Sequence, residues 1–150
     1  MSRKEIRLVK IIHDSERLQS KINQFNIEGM FFLPDEVPFE LRCYDEGDLV
    51  LREGEQMDAL LFLVEGKVKI TSSVEIGKAL LLRFCEPFAI IGDIELIQKV
   101  DVQSQVEAVN RSICVAVPFG YLYEHAMNEP KFLLSLLTHV TYKLKTCTTA

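Results

Sequence analysis

Leu60-Leu61-Phe62-Leu63-Val64-Glu65-Gly66-Lys67-Val68-Lys69-Ile70-Thr71-Ser72-Ser73 reads as two short strands hinged on a glycine. The first, Leu60–Glu65, is apolar throughout. The second, Lys67–Ser73, alternates, with Val68 and Ile70 set between Lys67, Lys69 and Thr71, the period-two pattern of a strand buried on one face. The same grammar extends to both sides. Strands are expected at Leu41–Tyr44, Leu49–Arg52, Lys78–Cys85, Phe88–Ile91, Ser104–Asn110 and Ser112–Val117. Corners fall at Glu46-Gly47-Asp48, Glu53-Gly54-Glu55 and Ile76-Gly77-Lys78. Many short strands at regular spacing argue for an all-β sandwich or barrel rather than a parallel sheet.

Helix flanks this core. Residues 3–13 and 15–28 are expected to be helical, with Leu18, Ile22 and Phe25 on one face, Asp14 or Ser15 as the cap and Gly29 as the stop. Pro34 and Pro38 close that region. Helix returns over Phe119–Met127, and Pro130 suits the first turn of a final helix. There Leu133, Leu137, Val140 and Leu144 recur at 4, 3, 4 spacing, while Phe132, Leu136 and His139 form an adjoining stripe. Such a helix buries two faces: one on the β-domain and one on a second subunit, or both within the chain.

Composition narrows the functional classes. The 150 residues suit one domain; 48% are hydrophobic and 26% charged, as in an ordinary soluble protein. A net charge of −5, with ten acidic residues against Arg42 and Arg52 between Glu28 and Asp58, argues against a nucleic-acid surface there. No apolar run is long enough to span a bilayer, and Arg3, Lys4, Glu5, Arg7 and Lys10 interrupt any signal-peptide pattern in the first residues, so the cytoplasm is expected. Cys43, Cys85, Cys114 and Cys147 are scattered, which argues for reduced thiols and against an iron–sulfur cluster. His13, His125 and His139 fall in expected helices, away from the strands where a barrel metalloenzyme of the cupin type would need them. Neither an enzyme nor a metal site is expected.

Phe88-Ala89-Ile90-Ile91-Gly92-Asp93-Ile94-Glu95-Leu96-Ile97 is a strand, a glycine, an acid and a turn of helix, followed by a return strand from Gln103-Ser104-Gln105. Glycine lets a ligand approach the backbone, so this corner is a candidate recess for a small anionic or sugar-like ligand.

Gly47-Asp48-Leu49-Val50-Leu51-Arg52-Glu53-Gly54-Glu55, then Leu61 through Ile70, Gly77-Lys78 and Ile91-Gly92-Asp93-Ile94-Glu95-Leu96, resemble a cyclic-nucleotide-binding β-roll in order and spacing. More narrowly, the chain resembles the N-terminal sensor half of a Crp/Fnr-type bacterial transcription regulator. The resemblance implies a mainly β fold with flanking helices, a double-stranded β-helix or jelly roll. It implies a helical segment over 1–37, the β-roll over 38–128 and the start of a dimerisation helix over 129–150. A homodimer is expected, with DNA bound through a helix-turn-helix domain downstream of this chain. The alternative is a stand-alone interaction module.

In nucleotide-binding members of that family a Glu after the glycine accepts from the ribose, and an Arg with backbone N–H groups holds the phosphate. By spacing, Gly92, Asp93, Ile94, Gln103, Ser104 and Gln105 form the corresponding cassette. Asp93 stands for the Glu, Ser104 keeps a hydroxyl, Gln103 replaces the Arg, and Gln105 replaces a small residue. A neutral Gln lacks the forked charged contact of Arg. Its loss weakens cyclic AMP binding by about ten- to a hundredfold. The expectation is a degenerate pocket with no cofactor and an unidentified effector: it takes a different small molecule, or is vestigial with control elsewhere, or borrows a charge from Arg83 or Arg111, two arginines otherwise read as solvated surface residues.

Overall fold

The computed structural model describes residues 9–74 and 79–147. Among these residues nine strands form two antiparallel sheets: β1 (Lys10–Ile12), β2 (Glu40–Tyr44), β3 (Leu49–Leu51), β4 (Ala59–Glu65), β5 (Val68–Val74), β6 (Ala79–Cys85), β7 (Ala89–Ile91), β8 (Gln105–Ala108) and β9 (Ser112–Pro118). The larger sheet runs β1-β2-β9-β4-β7 and the smaller β3-β8-β5-β6. Four helices accompany them: α1 (Ser15–Gln24), α2 (Asp93–Gln98), α3 (Phe119–His125) and α4 (Pro130–Cys147). This is an antiparallel β-roll with flanking helices, as the strand spacing predicts. The Gly77-Lys78 hairpin tip lies outside the described residues.

The larger sheet is buried on both faces, and strand alternation assigns each residue its side. Leu60, Phe62 and Val64 of β4, with Ile113, Val115 and Val117 of β9, face Ile22, Ile27, Phe31, Leu122, Phe132 and Leu136 from the helical layer. Ala59, Leu61 and Leu63, with Cys114 and Ala116, face the smaller sheet's Val68, Val106 and Ala108. That is why β4 reads as an unbroken apolar run: a two-sided strand has no solvent face to mark. At Gly66 the chain turns with φ +94°, and a Cβ would collide with the Ser112 side chain and the backbone at Arg111 and Ser112. Only glycine fits the turn between β4 and β5.

Two expectations at the N-terminus are corrected. The helix over 3–13 is contradicted in its described part, because Lys10–Ile12 pair with β2, Lys10 opposite Cys43 and Ile12 opposite Leu41. The open edge of β2 offers unpaired backbone groups, and Lys10 adds an ion pair to Asp45, so tertiary pairing overrides local helical pattern. His13 therefore sits in the link before α1 rather than in a helix. The second helix starts where predicted, with the Asp14 carboxylate accepting from the Arg17 N–H at 3.0 Å. It stops at Gln24 instead of running to 28, because Asn26 takes the left-handed conformation at φ 53°. Gly29 lies inside the short 3₁₀ turn that follows, Ile27–Met30.

Phe88, just before β7, ties the layers together. Its ring stacks on Phe25 at 5.2 Å and on Phe62 at 5.8 Å, and meets His139 of α4 edge-on at 5.6 Å. Phe132 of α4 stacks on Phe31 at 5.3 Å. Among the described residues no helix is long and apolar enough to cross a membrane. Replacing the fully buried Phe132 by Ala is expected to cost about 3–5 kcal/mol in urea unfolding. Replacing Phe32, 65% exposed, should change stability by less than about 0.5 kcal/mol. Equal losses for the two variants would refute the placement of α4 against the sheet.

Candidate functional site

The corner after β7 is built by one glycine. Gly92 has φ 102° and caps α2, and its carbonyl accepts from the Leu96 N–H at 2.9 Å. Its open Cα face is covered: a Cβ there would collide with Sδ and Cε of Met57. The close approach that the sequence assigns to a ligand is thus taken by a side chain of the turn before β4. Glycine is required here by the backbone and by Met57.

The next residue is committed to the fold as well. Asp93 is buried, its Oδ1 accepting from the Ile94 N–H at 3.0 Å and its Oδ2 from Lys143 Nζ of α4 at 3.1 Å. The same ammonium donates to the Ile90 carbonyl at 2.5 Å. A carboxylate out of water needs a counter-charge or several donors, and Lys143 provides the charge. That cation comes from fifty residues along the chain, where no spacing within the cassette would mark it. Ile94, by contrast, points outward and is half exposed.

Glu95, which the sequence reading passed over, holds the far side of the cassette. It is buried, and its Oε2 accepts from the Gln103 N–H at 2.8 Å. The loop is fixed further by Val102, whose N–H donates to the Glu55 carbonyl at 2.8 Å and whose carbonyl accepts from Gly54 at 2.9 Å. Two acids within Gly92-Asp93-Ile94-Glu95, flanked by apolar residues, were the available signal that both carboxylates have protein partners.

Of the remaining cassette residues, the Gln103 amide donates to the Asp101 carbonyl at 2.7 Å, exposed and turned back along its own loop. Gln105 is exposed, across from Thr71 on the outer face of the smaller sheet. Ser104 is half-buried on the inner face, with its Oγ 2.5 Å from Ser72 Oγ of β5. The structure therefore keeps Gly92 and Asp93 together at the corner, pairs Ser104 with Ser72 on the smaller sheet, and directs the Gln103 and Gln105 side chains outward. The two arginines also separate. Arg111 bonds Cys43 Sγ at 3.4 Å at the end of the larger sheet, whereas Arg83 lies opposite Ile70 on β6 and is half-buried.

Around α4 the two stripes part. Phe132 and Leu136 are buried against the roll, while Leu133, Leu137 and Leu144 are exposed and Val140 is half-buried. A cleft of about 690 Å³ opens elsewhere, between β1 and the β3–β4 region, where Arg42 is engaged by Glu40 at 2.9 Å and by Asp58 at 3.2 Å. Cys43, Cys85 and Cys114 form no disulfide, and burial pushes the Cys114 thiol up to about 12. Among the described residues no three His, Cys, Asp or Glu side chains are grouped to hold a metal.

A family model described as cyclic nucleotide-binding domain matches residues 41–128. "Regulatory protein YeiL" of Escherichia coli O157:H7 is 28% identical over 96 residues, which cover 64% of this chain and 44% of that protein. The chain thus spans less than half the length of this curated relative. The sensor domain of the transcriptional regulator DNR from Pseudomonas aeruginosa superposes with a TM-score of 0.66 at 17% identity, over 89% of this chain and 92% of that one. A cyclic nucleotide-binding domain from Methylobacillus flagellatus KT gives 0.75 at 17% identity, over 92% and 84%. These solved structures establish the likeness of fold.

His139 reports on the contact between α4 and the cassette. Burial, then the Lys143 ammonium, hold its imidazole below the ordinary range, with Asp93 pulling weakly the other way. The unfolded chain takes up this proton near pH 6.5, ahead of the folded one, so acidification favours unfolding. His139→Gln should therefore lose less stability than the parent chain between about pH 7 and about pH 5 in urea titrations. Parallel pH profiles would show that His139 is not held in this environment.

Proposed function

The chain belongs to the cyclic nucleotide-binding domain family, and from that premise we propose that it is the effector-sensing, dimerising part of a Crp/Fnr-type transcription regulator. In this reading residues 1–37 are the segment that precedes the roll, 38–128 the sensing roll, and 129–150 the beginning of the dimer helix. The regulator acts in the cytoplasm and binds DNA through a domain outside this sequence. The chain itself performs no catalysis.

One observation carries the reading: α4 buries one face on the roll and leaves the adjoining face apolar and largely exposed. Leu137 and Leu144 are 57% and 62% exposed, on the same side as Leu133 and Val140. Apolar residues at heptad spacing on an exposed helix face favour pairing with an equivalent helix, and a second copy of this chain supplies one. The named likeness to a regulator's sensor domain and to a regulatory protein supports the same assignment.

The pocket is degenerate for cyclic nucleotides on chemical grounds. Asp93 is tied to Lys143, Met57 covers Gly92, and Gln103 is turned away from Ser104. A cyclic phosphate arriving at this corner would meet a buried carboxylate, whose counter-ion it would have to share. The effector is a different small molecule, and its binding acts on the dimer through α4. The path is short: the Gly92–Ala108 segment touches α4 through Asp93–Lys143, and His139 rests on Phe88. A shift of the segment changes how α4 lies and so the spacing of whatever follows it.

Analytical ultracentrifugation of the chain is expected to show a dimer, and Leu137→Glu a monomer with unchanged circular dichroism. A parent chain that stays monomeric at the highest soluble concentration would sink the dimer reading.

A further inference from the structure

A groove between the two 3₁₀ turns and the junction of α3 with α4 belongs to neither the cassette nor the exposed α4 stripe. It holds about 320 Å³, over a floor of Phe31, Ala126 and Phe132, all buried. One wall is the Phe32-Leu33 pair, 65% and 51% exposed. Backbone bonds fix this pair from both sides. The Phe31 N–H donates to the Glu28 carbonyl at 3.1 Å, and the Leu33 carbonyl accepts from the Glu36 N–H at 3.1 Å, where the second turn, Pro34–Glu36, begins. The other wall is Tyr121 and His125 of α3, with rings 4.9 Å apart. Single exposed apolar residues are common, but two large neighbours held beside an apolar recess mark a contact surface.

Charge selects the occupant. Glu36, Glu124 and Glu129 rim the groove. Glu124 meets the His125 imidazole at 3.5 Å, and among the described residues no lysine or arginine pairs with Glu36 or Glu129. The Glu36 carboxylate lies near the Tyr121 phenol, whose proton is held more tightly than usual by burial and then by that charge.

We infer that this groove is a docking site for a basic segment of another protein, an apolar side chain flanked by arginine or lysine. The apolar residue packs on Phe31, Ala126 and Phe132. The flanking cations reach Glu36 and Glu129, with their aliphatic stems or an arginine plane over Phe32 and Tyr121. Small-molecule pockets run from about 300 to about 1,000 Å³, so a groove at the low end takes a few side chains of an extended segment and not the face of a folded domain. Neither the Gly92 corner nor Leu137 and Leu144 line it, so the inference is independent of the effector and dimer readings.

The test is fluorescence anisotropy of the chain with three labelled peptides: basic with an apolar centre (GKRLFRKG), basic without one (GKRSSRKG) and acidic (GEELFEEG). The first should bind saturably and more weakly as salt is added, and the other two about tenfold more weakly or worse. Phe32→Ser should weaken the first peptide about tenfold. Glu36→Gln combined with Glu129→Gln should weaken it about threefold. Glu46→Gln combined with Glu53→Gln removes the same charge from exposed positions on the turns flanking β3 and should leave the affinity unchanged. Three results overturn the inference: no saturable binding of the first peptide, undiminished affinity in Phe32→Ser, or equal losses in the two double variants, which would mean attraction to net charge alone. A parent chain that binds no peptide but dimerises, and that becomes monomeric in Phe32→Ser, would give the groove to a second copy and overturn it as well.

Discussion

A sheet that must be covered on both faces governs this molecule. β4 and β9 contribute apolar side chains to both sides, so the larger sheet cannot stand with one face in water. The smaller sheet closes one face into a roll, and α1, α3 and α4 close the other. Each large aliphatic or aromatic side chain buried this way contributes about 1.5–3 kcal/mol. Small residues, Ala59, Ala108, Cys114 and Ala116, line the roll's interior and bring the two sheets close. The helical side takes the bulk, with Phe31, Phe62 and Phe132. Because α4 completes this second layer through Phe132 and Leu136, its orientation is set by the roll, and its exposed stripe faces away by geometry.

The ligand corner inherits that constraint. β7 is the edge strand of the larger sheet, and the chain leaves it at Gly92 directly beneath α4. Lys143 then bonds both the last turn of the strand, through Ile90, and the first residue of α2, through Asp93. Asp93 keeps 9% of its side-chain surface and Lys143 27%, so the pair is poorly hydrated and neither charge is easily left alone. In this arrangement the acid after the glycine serves as an anchor for α4.

Much of the fold was readable in the sequence because its signals are local. The glycine corners, the period-two run in β5 and the apolar β4 located every strand from β2 onward to within one or two residues, within the usual uncertainty of element boundaries. The misreadings came where distant parts decide. β1 is a strand because β2 has an open edge, and α1 stops early because Asn26 turns left-handed where Gly29 looked the better stop. The strand–glycine–helix corner at Gly92 was located by position, but the partners of its side chains were not. The bonds Asp93–Lys143, Glu95–Gln103 and Ser72–Ser104 join residues 50, 8 and 32 apart, and no spacing rule pairs them. Arg83 and Arg111 could not be told apart by sequence, because strand register alone turns one inward and seats the other beside Cys43.

One mechanical link runs from the corner after β7 through Asp93–Lys143 to α4, the helix we propose pairs two copies. The direct measurement is a double-mutant cycle on the dimer dissociation constant, using Asp93→Asn, Lys143→Met and both together, by sedimentation equilibrium. If the link sets the lie of α4, each single change weakens the dimer and the double change weakens it no further than one alone. Dissociation constants that stay at the parent value in all three variants would show that the cassette and the dimer helix are not coupled.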